Sequence, residues 1–237
     1  MFRRQFVEKE EINLTEQSRP TRSEPTPTKP SWRGWIHAAA VPLSIILGSL
    51  LVVLAEGFDV RVTCTVFAVC STFLFGSSAA YHRFSFRHEI APIMRRLDHS
   101  NIFLLIGGTY TPVAWCALSQ EKSVFLLSLV WSLAIVGIFI RIIWSEAPRW
   151  SYVFMYVTLG WTAVAYLEDF YFFNPTAVVL IVIGGIIYSS GALVYARKKP
   201  DPIPQHFGFH EIFHLLTVVA FLFHWLAVYL IATTPQP

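Results

Sequence analysis

The residues of this chain best suited to hold and use a metal ion are three histidines and an aspartate. His210 and His214 stand four apart in His206-Phe207-Gly208-Phe209-His210-Glu211-Ile212-Phe213-His214. On a helix that spacing puts two imidazoles on one face, separated by about 6 Å of rise, so both can converge on one cation. Ser78 and His82 share a helical face in the same way at the end of Ser77-Ser78-Ala79-Ala80-Tyr81-His82. Asp98 follows in Arg95-Arg96-Leu97-Asp98-His99-Ser100. By spacing alone the plainer reading is the stronger one: interfacial histidines bonded to neighbouring helices or to water. What decides between the two is where the chain puts these residues.

The elements that position them are membrane spans. With 54% of its residues apolar and 14% charged, the chain is far too oily for a water-soluble domain. Seven uncharged stretches are long enough to cross a hydrocarbon core of roughly 30 Å. They run approximately from Ala38 to Ala55, Val62 to Tyr81, Ser100 to Ser119, Ser123 to Ile140, Trp150 to Leu167, Pro175 to Ala196 and Phe207 to Ala232. The expected fold is an all-α, seven-transmembrane helix bundle over residues 35–237, preceded by a proline-rich, polar tail at 1–34 that cannot bury enough surface to fold. That tail lacks the pattern of a signal peptide, so the first span is expected to direct insertion. Of the 18 Lys and Arg residues, 16 fall on alternate connecting segments, the tail among them. The positive-inside rule therefore puts the N-terminus in the cytoplasm and the C-terminus outside, which an odd number of spans requires.

Topology then gathers the chemistry. Span two runs toward the cytoplasm while spans three and seven run away from it, so His82, Asp98, His210 and His214 arrive at one depth. Three neutral imidazoles suit Zn²⁺ and leave a fourth position for water. Asp98 is placed to orient that water or take its proton, and Ser78 to hold an oxygen. The competing readings are a helix N-cap for Asp98 and a helix-contact serine for Ser78. His206 is expected no nearer than the periphery of the site. His37, His88, His99 and His224 are read as structural or solvated, and Glu211 as a solvated charge near Arg197, Lys198 or Lys199. Cys64, Cys70 and Cys116 have no metal or disulfide spacing and read as small core residues. Trp32, Trp35, Trp144, Trp150, Tyr171 and Tyr229 fall near span ends, as interfacial anchors do.

The same residues carry a family resemblance. Ser78-Ala79-Ala80-Tyr81-His82, Leu97-Asp98-His99-Ser100, Gly108-Thr109-Tyr110-Thr111-Pro112 and His210-Glu211-Ile212-Phe213-His214 resemble the bacterial hemolysin III family across roughly residues 33–232. That family belongs with the progestin and adipoQ receptors, which include the adiponectin receptors, and more distantly with the alkaline ceramidases. The resemblance implies a seven-helix fold with an inside N-terminus, zinc at His82, His210 and His214, Asp98 in contact with its water, and Ser78 one turn before the first histidine. Hormone recognition is not implied, since only Thr233 to Pro237 follow the last span.

Three functions follow as expectations. The first is a zinc-dependent hydrolase of the cell membrane acting on an amide or related bond of a membrane lipid, with Asp98 and Ser78 as its catalytic residues. The second is a sensor or regulator in which zinc ties span two to span seven, and the third and lowest is a cytolytic pore. The expected partner is membrane lipid and not nucleic acid.

Overall fold

The computed structural model describes residues 30–144 and 146–234. Most of the tail expected to be disordered, residues 1–29, lies outside them. Apart from one isolated bridge between Ile203 and Phe207, every regular element among the described residues is helical. In order they are α1 (Trp35–Leu54), α2 (Phe58–Arg83), α3 (Ala91–Ala117), α4 (Gln120–Ile143), α5 (Arg149–Gly160), a 3₁₀ stretch (Trp161–Tyr166), α6 (Leu167–Phe173), α7 (Pro175–Arg197) and α8 (Phe209–Ala232). Five of them, α1, α2, α4, α7 and α8, are long and apolar enough to cross a membrane. Their outer faces carry side chains such as Ile46, Val53, Val69, Phe139 and Val179, all more than half exposed. Such a belt suits lipid and not water.

Local chemistry sets the helix ends. Gly57, at φ 93°, makes the sharp turn from α1 to α2. Pro175 opens α7 while the Asn174 side chain accepts from the backbone N–H of Ala177 at 3.0 Å. At the start of α8, Glu211 Oε2 accepts from the Gly208 N–H at 2.9 Å, and Asp201 Oδ1 accepts from that of Phe209 at 2.9 Å. Both acceptors satisfy amides that the first helical turn leaves without a partner.

Two helices differ from expectation in ways that bear on the site. The third begins at Ala91, with proline in its first turn, well before Ser100. Asp98 therefore sits inside α3 and is not its N-cap. The fifth apolar stretch, Trp150 to Leu167, is not one helix: α5 stops at Gly160, and the chain passes through the 3₁₀ turn before α6. Such a break frees backbone groups, which are costly in apolar surroundings. Tyr110 of α3 meets them, its hydroxyl accepting from the Ala163 N–H at 2.6 Å and donating to the Gly160 carbonyl at 2.9 Å.

The bundle closes because α8 returns to α1, α2 and α3 as well as packing along α7. Close approach depends on small residues: a Cβ on Gly108 of α3 would lie 2.7 Å from Cys70 Cβ on α2, and one on Gly184 of α7 would meet the His224 ring of α8 at 2.4 Å. This closure brings the end of α2 and the beginnings of α3 and α8 to one end of the bundle. The three cysteines are buried and free.

Candidate metal centre

His82 comes from the last turn of α2, and His210 and His214 from the first two turns of α8. Each offers one ring nitrogen, and the three atoms lie within 4.8 Å of one another. His82 Nε2 and His210 Nε2 are 3.1 Å apart. Ligands at the usual zinc–imidazole bond length sit about 3.3 Å apart along a tetrahedron's edge, so this pair matches such an edge. The donor set is chemically apt too, being three imidazoles on two helices. These residues are placed to hold a metal ion.

Asp98 completes the group, with Oδ2 3.7 Å from His82 Nε2 and 3.9 Å from His99 Nδ1. Ser78, one turn before His82 and on the same face, is buried and turned toward that carboxylate. Ser78, Asp98, His210 and His214 all line a cavity of about 140 Å³ that continues between α3, α5, α7 and α8 as far as Gly185 and His224. The lining is mainly apolar away from the histidines. One end is thus chemically equipped, and the remainder suits a hydrocarbon chain.

The other histidines separate as their helical positions dictate. His99 turns away from the trio: Nδ1 meets the Arg95 carbonyl at 2.6 Å and Nε2 the Tyr195 hydroxyl at 3.2 Å. His88 and His206 are exposed, and His224 bonds the Ile181 carbonyl at 3.2 Å deep in the bundle.

Two residues stand closer to the centre than their sequence context indicates. Glu211 is not a solvated charge near Arg197, Lys198 or Lys199; it is 1% exposed and paired with Arg33. A carboxylate at that burial is costly without partners, and the Arg33 guanidinium and the Gly208 amide supply them. His37 of α1 is 3% exposed and stacked on His214, the ring centroids 3.8 Å apart and the planes 7° from parallel. The depth rule that collected the other three applies equally to His37, because α1 begins at the same end of the bundle as α8.

Comparison with known proteins identifies the family. Residues 26–225 match the family described as Haemolysin-III related. A Hemolysin-3 homolog of Bacillus subtilis (strain 168) is 33% identical over 182 residues, covering 75% of this chain and 82% of the relative. Hemolysin-3 of Bacillus cereus is 32% identical over 177 residues, 73% of this chain and 77% of that protein. An adiponectin receptor protein of Drosophila melanogaster is 28% identical over 169 residues, 63% of this chain and 38% of the receptor. No solved structure matches the chain. With the match to the family model covering most of its length, the chain belongs to the haemolysin-III-related family of multi-pass membrane proteins.

Proposed function

We propose that this protein is a seven-span hydrolase of the cell membrane that holds zinc at His82, His210 and His214 and cleaves an amide or related bond of a membrane lipid. The observation that carries the reading is one cavity with two characters: histidines and Asp98 at one end, apolar walls over the rest. In the seven-span count, α3 and the broken run from α5 to α6 join the five long apolar helices. The distribution of Lys and Arg supports a cytoplasmic N-terminus, an outside C-terminus and a site near the cytoplasmic face.

Zinc in such a site supplies Lewis acidity and a nucleophile at neutral pH. The chain's own groups do the rest. Asp98, between His82 and His99, accepts a proton from water at the site. The Ser78 hydroxyl donates to the oxygen on which negative charge develops. The apolar walls along α3, α5, α7 and α8 hold the acyl chain and keep bulk water from the reacting bond.

A second reading, zinc as a staple in a membrane sensor or regulator, draws on the ligands coming from α2 and α8, helices far apart in sequence. The relatives' name, Hemolysin-3, speaks of lysis, which an apolar cavity of this size does not by itself serve. The test uses purified protein, its zinc content and a lipid panel. A hydrolase releases fatty acid, and Asp98→Asn keeps its zinc while losing that release. Zinc-loaded wild-type protein that releases nothing from the panel sinks the hydrolase and leaves the staple.

A further inference from the structure

The lead-in to α1 and the first turn of that helix lie against His82, His214 and the turn of α8 that carries His210. Backbone bonds from Ser31 N–H to the Gln205 carbonyl, 3.1 Å, and from Trp32 N–H to that of His206, 3.3 Å, lay it along the loop before α8. Arg33 then reaches Glu211, its Nε donating to Oε1. Gly34, at φ 83°, lies so close to α2 that a Cβ there would stand 2.7 Å from Cβ of His82. One turn later His37 stacks on His214.

Glu211 is the key to what this contact does. It stands between His210 and His214 in the first turn of α8, and both its oxygens are committed: one to Arg33, the other to the amide of Gly208, which opens the helix. A carboxylate fixed at both oxygens fixes the turn that carries it, and with it the direction in which the His210 imidazole leaves the backbone. Groups that orient a metal ligand from outside the coordination sphere typically change metal affinity by about 10- to 100-fold when they are replaced.

We infer that Arg33, acting through Glu211, is a positioning residue of the metal centre, so that the segment before the first span sets how tightly the three histidines bind their ion. This rests on the metal reading given above. The alternative is an anchor that merely tethers the chain's N-terminal side to α8.

The two are separated on the full chain, purified in detergent, by zinc affinity from chelator competition and by the visible bands of bound Co²⁺, which report ligand geometry. Arg33→Met is expected to weaken zinc by about 10- to 100-fold and to alter the Co²⁺ bands. Because the single change leaves Glu211 buried without its partner, the double variant Arg33→Met/Glu211→Met is the decisive protein: it removes both charges, a replacement that buried ion pairs commonly tolerate. It should fold and bind zinc as weakly as Arg33→Met, the two losses failing to add because the pair acts as a unit. A folded double variant with wild-type zinc affinity and unchanged Co²⁺ bands overturns the inference alone. Wild-type protein that binds neither ion overturns the metal reading, and this inference with it.

Discussion

The two ends of the bundle each carry an ion pair between residues distant in sequence, yet the pairs live in different solvents. At the end that holds the histidines, Arg33 meets Glu211, whose side chain is 1% exposed. At the far end, Lys122 at the start of α4 reaches Asp169 of α6 with contacts of 2.6 and 2.8 Å, but the side chains are 49% and 36% exposed. Geometry alone would rank the second pair at least equal to the first. Burial reverses the order, because an exposed pair competes with water for each partner whereas a buried carboxylate has no such alternative. Ion-pair geometry therefore says little about this molecule until one asks which groups have access to solvent.

The largest effect follows from breaking the buried pair by halves. Arg33→Ala leaves Glu211 with the Gly208 amide alone, and an orphaned buried charge of this kind costs about 3 kcal/mol or more. Melting of the purified protein in detergent should therefore fall clearly below wild type, and adding Glu211→Ala should restore part of the loss. A double variant less stable than Arg33→Ala would show that Glu211 contributes by more than its charge.

Which parts of this were legible in the sequence depends on the range of the signal. HxxxH spacing, the Ser78–His82 turn and the alternation of basic loops are local or additive features, and they led to the cluster that the fold assembles. Glu211 reads as a solvated charge in the sequence because its partner lies 178 positions away, in a proline-rich stretch whose composition resembles a solvated tail. Nothing local announces such a pairing. The break after Gly160 escaped for a similar reason, since an apolar run reads as one span whether or not its helix is continuous. Tyr110, which makes the interruption tolerable, comes from another helix. His37 is different: its position at the start of the first apolar stretch already places it at the depth of the HxxxH pair.

Tyr110 offers an intermediate test, a neutral group inside the bundle between the two charged ends. Tyr110→Phe keeps the ring and deletes the hydroxyl, stranding the Ala163 amide and the Gly160 carbonyl at the break. Unsatisfied backbone groups of this kind cost about 1 to 3 kcal/mol. The same detergent melt should show a smaller loss than Arg33→Ala, with zinc content unchanged because Tyr110 sits on α3 about three turns beyond Asp98, whereas the three histidines come from α2 and α8. Equal losses in the two variants would mean that a helix break in this bundle is as sensitive to its partner as a buried charge.

The smallest effect belongs to the pair that looks best on distance. Lys122→Ala removes both contacts to Asp169 and leaves a carboxylate that water can solvate at once. Its ammonium already gives up side-chain freedom to hold that geometry, so deletion returns entropy as it takes away attraction. Melting should be unchanged within scatter at physiological salt, and raising the ionic strength should leave wild type and variant equally unmoved. A loss as large as that of Arg33→Ala would mean that α4 and α6 depend on this contact to stay together, and that the break after α5 has made the far end weaker than its packing suggests.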